Sequence, residues 1–396
     1  MWSSPKSIVI VLKISELCNI ACTYCYYYFG GDDSHRSRPR YITLRTVEGL
    51  ADFILSGVAQ FGLEEVSLSL HGGEPLMVGR DHFAAICDIL VSRLAGKVRL
   101  SLDMQTNGML IDDRWIDLIG KYQIGVGVSL DGPMELNDLV RVDKAGKGTH
   151  RQAEEGLARL QGAAAKGLIR EPGVICVLSA ASDADEIFDY FFNRLGVHAV
   201  IFRQPIIDWE SRDEALLDHL KGFYLRLVQL WIEADDPAIQ ILGFGKMLSS
   251  ILVADDRKVD LVTDTPVLMV RSDGVVTPHD GITSKSHSYQ NTGLVVGQST
   301  LGETLGAGFW PAIHAGYRLP EGECRSCKWA IMCRGGELEN RYRADAEFSQ
   351  KSVYCRVNES VSKAVYDYAC TAVAPEILDH RLAARRDLLV GSSMRA

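Results

Sequence analysis

Short apolar runs alternate with longer amphipathic stretches from the start of the chain to about Ala234. Runs rich in Val, Ile and Leu are typical of buried strands, whereas apolar positions that recur with a helical period predict helices. The predicted strands are Ile8–Ile14, Glu65–Leu70, Val98–Met104, Gln123–Ser129, Val174–Leu178 and Ala199–Arg203. The predicted helices are Thr43–Phe61, Asp81–Ala95, Asp112–Lys121, His150–Ala165 and Asp183–Arg194.

This strand-then-helix order predicts the fold class of the first part of the chain. Strands that alternate with helices favour an α/β fold, with a parallel sheet and helices on its outside. The six predicted strands are fewer than the eight of a closed (β/α) barrel. We therefore predict an open, partial (β/α)6 barrel.

The last part of the chain is predicted to be a smaller, turn-rich region. A long helix over Asp213–Ala234 leads into an Asp-rich connector around Asp255–Asp264. Ser272–Asp280 is predicted to form a hairpin, and a group of cysteines follows it. The predicted organisation is a barrel (1–235), a connector (236–262), a small irregular α+β domain (263–360), and a C-terminal helix and tail (361–396).

Composition narrows the class of protein. The chain has 396 residues, 47% of them hydrophobic, and its net charge is -9 without a long block of Lys or Arg, which argues against nucleic-acid binding. The apolar run Ile8–Leu12 is too short to span a membrane or to serve as a signal peptide. Most of the ten cysteines fall into two groups with ligand-like spacing, which predicts a reducing, cytoplasmic location without membrane partners.

Unusual local sequences follow four consecutive predicted strands. Cys18 follows the first, His71–Pro75 the second, Gln105–Gly108 the third and Ser129–Pro133 the fourth. In parallel α/β sheets the active site lies at the carboxyl ends of the strands. The sequence therefore places a candidate active site at this edge of the sheet.

Cys18, Cys22 and Cys25 are spaced as metal ligands, but they are too few to close a metal centre. Four thiolates complete a 4Fe-4S cluster or a structural zinc site, so three thiolates on a cubane leave one iron open for a cofactor or a substrate. A zinc loop is the alternative from spacing alone.

The Cys-x3-Cys-x2-Cys spacing, the aromatic residues after it and Gly72-Gly-Glu-Pro75 together resemble the radical S-adenosylmethionine (SAM) superfamily, over about residues 7–235. The resemblance implies that Cys18, Cys22 and Cys25 hold a 4Fe-4S cluster and that SAM binds the open iron. Reductive cleavage of SAM would then give a 5'-deoxyadenosyl radical that abstracts a substrate hydrogen.

The same resemblance implies roles in SAM binding for the strand-end residues. Tyr24 would pack beside the cluster and the adenine, Glu74 would accept from the SAM ammonium, and Gly72 and Gly73 would allow close backbone approach. Contacts with the ribose and carboxylate are expected from Gln105, Ser129 and Arg141, and a contact near the adenine from Leu178. The alternatives are a solvated turn carboxylate at Glu74, ordinary strand-end polar residues at Gln105 and Ser129, and a core side chain at Leu178.

Cys324, Cys327, Cys333 and Cys355 form a second group whose spacing alone favours structural zinc. Taken together with the first cysteine group, the spacing of these four cysteines resembles the SPASM extension of radical SAM enzymes that modify peptides. This resemblance implies an auxiliary 4Fe-4S cluster. That family's second auxiliary cluster needs further cysteines. This chain has His279 and Glu337 at two of those positions and no cysteine near Val259–Thr265. We therefore predict one auxiliary cluster, since a second would need His279 and Glu337 as substitute ligands.

Asp280 resembles, by position, the proposed proton acceptor of sulfatase-maturing relatives, and it is our candidate catalytic base. Asp280-Gly281 is also an ordinary turn dipeptide. Both interpretations stand at this stage.

The SPASM resemblance implies a ribosomally made precursor peptide as substrate and a reducing partner such as flavodoxin or ferredoxin. The small number of auxiliary-cluster cysteines and the Tyr26–Asp33 run resemble those of maturases that join an aromatic ring to a β-carbon. In such a reaction the surplus electron would leave through the auxiliary cluster. The alternatives are a sulfatase-type (formylglycine) maturase, a thioether-forming maturase and an inactive zinc-bearing binding protein. Because the first strand begins within ten residues, we expect no leader-recognition domain ahead of Cys18.

Overall fold

A computed structural model describes residues 5–30, 33–255, 265–285, 289–317, 319–320 and 322–393, with the backbone alone at 280 and 391–393. The chain divides into two compact units. The first comprises Met1–Ile175 with Asp264–Pro311, and the second comprises Cys176–Thr263 with Ala312–Ala396. The domain boundaries drawn from the sequence stay a prediction.

The described residues contain nine strands. They are β1 (Ser7–Ser15), β2 (Glu65–Gly72), β3 (Arg99–Thr106), β4 (Gly125–Ser129), β5 (Gly173–Val177), β6 (Ala199–Arg203), β7 (Gln240–Ile241), β8 (Val267–Val270) and β9 (Val276–Thr277).

The longer helices are α2 (Leu44–Phe61), α3 (Arg80–Leu94), α4 (Asp113–Lys121), α6 (His150–Ala165), α8 (Glu214–Ala234), α9 (Leu242–Leu252), α15 (Cys355–Ala369) and α16 (Pro375–Ser393). The shorter ones are α1 (Tyr26–Phe29), α5 (Met134–Val140), α7 (Ala184–Phe188), α10 (Asp280–Thr283), α11 (Leu301–Gly306), α12 (Trp310–Gly316), α13 (Glu323–Ser326) and α14 (Ala330–Cys333). Short 3-10 turns cover Ser34–Ser37, Pro75–Val78 and Leu338–Arg341, and one π turn covers Asp189–Arg194.

In the first unit β1 is the central strand of a mostly parallel sheet. β2, β3, β4 and β5 follow on one side, all parallel, with Ile10 opposite Leu68 at the start of the series. On the other side β8 is parallel to β1, and β9 is antiparallel to β8. Ile8, Ile10, Leu12 and Ile14 of β1 are all buried, as expected for a strand covered on its inner face. The predicted α/β fold class is confirmed.

The ends of these elements follow from local chemistry. Thr43 caps α2 by accepting from the amide of Thr46, and Gly62 ends α2 with φ +63, a left-handed conformation that glycine adopts without strain. Gln123, predicted to begin the fourth strand, instead has φ 53, so β4 begins at Gly125. β7 and β8 were not predicted, because their apolar runs are short. β9 lies within the predicted hairpin Ser272–Asp280 and pairs antiparallel with β8.

The second unit has its own helical core. The amide of Leu178, just after β5, donates to the carbonyl of Arg203 in β6, and β6 pairs in parallel with β7. Asp213 caps α8, which packs against α15. Across the described residues, we find no helix with the length and apolar character needed to cross a membrane.

Candidate functional site

The three N-terminal cysteines lie on one loop, residues 16–25, which we call the cysteine loop. It leaves the carboxyl end of β1 and runs along residues 140–142, where the amides of Ala21 and Thr23 donate to the carbonyls of Val142 and Val140 at 2.7 and 2.9 Å. Cys22 is buried, and Cys18 and Cys25 are partly exposed. The thiols thus lie where the sequence predicted, at the active-site edge of the parallel sheet.

Burial changes the chemistry of these thiols. It raises the pKa of Cys18 to about 12 and also raises the pKa of Cys22, although the nearby Arg141 cation lowers the latter. Thiols of this kind are protonated at neutral pH in the metal-free protein. Because a cluster binds thiolates, loading it must release protons from the loop.

Gly72 and Gly73 bring the end of β2 against the cysteine loop. The amide of Gly73 donates to the carbonyl of Ser15 at 2.8 Å. A Cβ added at Gly72 would lie 2.1 Å from the Ser15 carbonyl oxygen, and one at Gly73 would lie 2.4 Å from the Leu17 carbonyl oxygen. Close approach to the loop is therefore what these glycines provide in the structure, whereas close approach to SAM stays a prediction.

We expect Gly73→Ala to displace the cysteine loop, because its Cβ would meet the backbone just before Cys18. Overpacking of this kind costs about 1–3 kcal/mol. The variant should unfold at a lower temperature and retain less iron after reconstitution. Gly162→Ala is the matched control, since its Cβ points into open space on α6. Unchanged iron content and melting temperature in Gly73→Ala would contradict this role.

Glu74 is a rigidly held, buried carboxylate. Its Oε1 accepts from the amide of Leu76 at 3.1 Å and from the hydroxyl of Thr106 at 2.8 Å, and its Oε2 accepts from the amide of Asn107 at 2.8 Å. Burial raises the pKa of Glu74, and these hydrogen bonds and Arg141 oppose that shift. A solvated turn carboxylate is wrong here, because Glu74 is only 1% exposed. Of its roughly four acceptor positions one is left, on Oε2, which fits a cation such as the SAM ammonium.

A chain of amides links Glu74 to the cysteine loop. The backbone amide of Asn107 donates to Glu74, and its side-chain Nδ2 donates to Oδ1 of Asn19 at 2.7 Å. Asn19 follows Cys18 directly. Neither Asn19 nor Asn107 was among the predicted site residues. Asn107 lies in the strand-end sequence Gln105–Gly108, and that position was the only signal that could have identified it.

Gln105 and Ser129 lie together at the ends of β3 and β4. Nε2 of Gln105 donates to Oγ of Ser129 at 2.7 Å. A Cβ added at Gly127 would lie 2.2 Å from Oε1 of Gln105, so this glycine makes room for the glutamine side chain. The structure brings the two predicted residues together, and their contact with the SAM ribose stays a prediction.

Arg141 and Asp131 are buried, and they form a triad with the more exposed Tyr24. The hydroxyl of Tyr24 donates to Oδ2 of Asp131 and accepts from Nη1 of Arg141, both at 2.6 Å. Burial lowers the pKa of Arg141, but Tyr24 and Asp131 raise it more, so the guanidinium stays charged. None of the described residues engages its Nε or Nη2. These two donors fit a carboxylate such as that of SAM.

Asp131 is a site residue that the sequence did not identify, although it lies in the noted Ser129–Pro133 segment. It fixes both Tyr24 and Arg141. The hydroxyl of Tyr24 is therefore committed to the triad, and burial raises its pKa well above the ordinary value. The predicted packing of the Tyr24 ring beside cluster and adenine stays a prediction.

Two further predicted site residues are not placed at this centre. Leu178 belongs to the second unit, where it is buried and its amide pairs with Arg203, so its role near the adenine stays a prediction. The side chain of Asp280 is outside the described residues, and its role as a base also stays a prediction. Nδ1 of the neighbouring His279 accepts from the amide of Gly281 at 3.2 Å.

Tyr27 and Tyr28, two of the aromatic residues after Cys25, contact the buried polar side chains of a network. The hydroxyl of Tyr27 donates to Glu16, whose carboxylate lies 3.8 Å from Nη1 of Arg38, and the ammonium of Lys13 lies 3.7 Å from the centre of the Tyr27 ring. The hydroxyl of Tyr28 donates to the Glu16 carbonyl at 2.9 Å. The network ties together the two ends of the cysteine loop, so Tyr27 and Tyr28 serve as its scaffold.

The second cysteine group lines one cavity within the second unit. Cys324, Cys327, Cys333 and Cys355 all border a cavity of about 310 Å³. Among the described residues, no three His, Cys, Asp or Glu side chains converge on a single-ion site. Four thiolates bound to zinc at about 2.3 Å would enclose one ion, whereas a cubane occupies a cavity between them. The cavity is lined by enough thiols to hold a 4Fe-4S cluster, and the choice between a cluster and zinc stays a prediction.

Burial also raises the pKa values of these thiols. The pKa of Cys333 rises to about 11, and those of Cys324 and Cys355 rise as well. Glu337, the substitute ligand that a second auxiliary cluster would need, has a 63% exposed side chain that lies 4.0 Å from Nη1 of Arg203. An exposed ion pair of this kind is an ordinary surface contact, which favours a single auxiliary cluster.

Residues 12–173 match the family model of the Radical SAM superfamily. The cysteine-type anaerobic sulfatase-maturating enzyme of Clostridium perfringens (strain 13 / Type A) is 25% identical over 366 residues, which cover 89% of this chain and 94% of that enzyme. A serine-type anaerobic sulfatase-maturating enzyme of Bacteroides thetaiotaomicron is 27% identical over 222 residues, which cover 55% of this chain and 49% of that enzyme.

The fold is similar to that of solved structures of anSMEcpe. Polyhistidine-tagged anSMEcpe with bound AdoMet, that is SAM, superposes with a TM-score of 0.76 at 20% identity and covers 92% of this chain and 98% of its own. Native anSMEcpe with bound AdoMet and the Cp18Cys peptide gives 0.75 at 21% identity, with coverage of 95% and 99%. The likeness extends through both compact units of the chain.

Proposed function

We propose that the protein is a peptide maturase, an oxidoreductase that acts on a ribosomally made precursor, and that residues 12–173, which match the Radical SAM family model, form its SAM domain. One observation carries the proposal. Nearly the whole chain aligns with a cysteine-type sulfatase-maturating enzyme, so the similarity includes the second cysteine group as well as the SAM domain. A related fold has also been solved with both AdoMet and a peptide bound.

Together, a 4Fe-4S cluster and SAM supply, when bound, a 5'-deoxyadenosyl radical that removes a hydrogen atom from the substrate. Cys18, Cys22 and Cys25 would hold that cluster. The remaining acceptor position of Glu74 would hold the SAM ammonium, and Nε and Nη2 of Arg141 would hold its carboxylate. Both groups are buried and fixed by neighbours, so the site is organised before SAM binds.

The four cysteines around the second cavity would hold one auxiliary 4Fe-4S cluster. An oxidised peptide product leaves an electron to be removed, and a closed cluster suits electron transfer because its irons have no open position. The electrons for SAM cleavage would come from a reducing partner such as flavodoxin or ferredoxin.

The reaction that we propose is an intramolecular crosslink. Loss of a β-hydrogen atom leaves a carbon radical that bonds to an aromatic ring of the peptide, and the ring then loses one proton and one electron. The small number of auxiliary-cluster cysteines supports the crosslink. This chain has His279 and Glu337 at positions where the SPASM family has cysteines. Formylglycine formation at a cysteine or serine is the second candidate. The similarity to the sulfatase-maturating enzymes favours it.

Co-expression with candidate precursor peptides, followed by tandem mass spectrometry, distinguishes the two reactions. The crosslink predicts a peptide that has lost two hydrogens, retains every cysteine and fails to fragment between the joined residues. Inactive enzyme with Cys18→Ala serves as the control.

Formylglycine would give a different product. An aldehyde that reacts with a hydrazide reagent, or sulfur lost from a cysteine, would refute the crosslink and support the sulfatase-type reaction. An unmodified peptide would refute both, provided that the wild-type enzyme cleaves SAM under the same conditions.

A further inference from the structure

Arg341 is a buried guanidinium beside the second cysteine cavity. It is 3% exposed, and its side chain donates to four backbone carbonyls. Nη1 bonds Gly316 at 2.6 Å, Nε bonds Gly335 at 3.0 Å, and Nη2 bonds Arg334 and Gly336 at 2.7 and 2.8 Å. Three of these carbonyls belong to the segment directly after Cys333.

That segment has an unusual backbone. Arg334, Gly335 and Gly336 have successive positive φ values of 52, 80 and 78°, and the amide of Gly336 donates to the Cys333 carbonyl at 2.9 Å. Arg341 occupies the place where the carbonyls of these three residues converge. The guanidinium is thereby fixed within a few residues of the Cys333 thiol, and Gly335 itself lines the cavity.

The charge of Arg341 acts on the cysteines. Burial lowers the pKa of Arg341, whereas negative charge on Cys333, Cys324, Glu337 and Glu339 raises it, and an arginine stays protonated at physiological pH. The four carbonyls that it contacts are neutral dipoles, which solvate the cation. In a low-dielectric interior such a charge acts over several ångströms.

We propose that Arg341 is a positioning residue that raises the reduction potential of the auxiliary cluster. The inference rests on the proposed function, which places that cluster between the four thiolates. Reduction adds a negative charge to an anionic cluster, so a fixed cation beside it stabilises the reduced state. The effect would make the auxiliary cluster a better acceptor of the electron released by the peptide.

The test is a potentiometric titration followed by electron paramagnetic resonance. It uses the full chain with Cys18, Cys22 and Cys25 replaced by alanine, so that only the auxiliary cluster contributes signal. In that background Arg341→Gln removes the charge, and Arg341→Lys retains it with fewer hydrogen bonds. Arg343→Gln is the matched control, since Arg343 has a 40% exposed side chain and pairs with Asp345 two residues farther along the chain.

We expect Arg341→Gln to lower the reduced-to-oxidised ratio at a fixed potential by about tenfold, a shift of about 59 mV. Arg341→Lys and Arg343→Gln should stay near the parent value. An unshifted potential in Arg341→Gln would overturn the inference, and so would equal shifts in the Gln and Lys variants. Loss of the cluster from both variants would also overturn the inference, because Arg341 would then be needed only for its hydrogen bonds to the backbone carbonyls. If Arg341→Gln alone loses the cluster, an unshifted potential in Arg341→Lys supports the inference and a shifted one overturns it.

The same experiment distinguishes a failure of the inference about Arg341 from a failure of the proposed function. If the parent chain with the three alanines binds no iron, the auxiliary cluster itself is wrong. If it binds the cluster and the potential ignores Arg341, only the present inference fails.

Discussion

Replacing Cys18 with alanine is expected to abolish SAM cleavage and to remove about half of the iron, because two thiolates do not retain the first 4Fe-4S cluster while the second remains. Cys18 lies on the loop that the network of Glu16, Tyr27 and Arg38 holds in place. The loop should therefore keep its fold and lose only its ligand. The measurements are iron per chain after anaerobic reconstitution, and 5'-deoxyadenosine formed on reduction.

Cys370→Ala provides the matched control. Cys370 is also a partly exposed free thiol, but it lies at the end of α15, outside both cysteine groups. It should retain full iron and full SAM cleavage. Full cleavage activity in Cys18→Ala would show that the cysteine loop does not hold the catalytic cluster.

Glu74→Gln is expected to weaken SAM binding by about 10- to 100-fold, since it replaces a charge-assisted hydrogen bond with a neutral one. The substitution also places an amide nitrogen or a less basic oxygen opposite the donors of Leu76, Thr106 and Asn107. The iron content should change little, because Glu74 is not a predicted ligand. Equilibrium dialysis of the reconstituted protein against labelled SAM measures the effect.

Glu65→Gln controls for loss of a carboxylate on the same strand. Glu65 begins β2, at the opposite end from Glu74, and its half-exposed side chain pairs with Arg99. SAM affinity should be unchanged in this variant. Wild-type affinity in Glu74→Gln would mean that the buried carboxylate serves only to join the ends of β2 and β3.

The site could be predicted from the sequence wherever one strand end carries its own signal. The cysteine spacing marked the loop, and Gly72-Gly-Glu-Pro75 marked the end of β2, where Glu74 is indeed buried. Asp131, Asn19 and Asn107 were missed because their roles arise between elements. Asp131 matters through its bonds to Tyr24 and Arg141, which lie on other elements, and no local pattern records such a contact.

The fold shows the same division between local and long-range information. The strands β1 to β6 have apolar runs long enough to be recognised, and each is followed by an amphipathic helix. β8 is only four residues long and pairs with β1, more than 250 residues earlier in the chain. Pairing over that separation is decided by tertiary packing, which a local pattern does not encode.

We propose that the chain holds one open 4Fe-4S cluster at Cys18, Cys22 and Cys25 and one closed cluster at the second cysteine group. Anaerobic iron and sulfide analysis of the reconstituted wild-type protein tests it most directly. We expect about eight iron and about eight sulfide per chain, four of each per cluster. Zinc at the second group with fewer than about four iron per chain would contradict it.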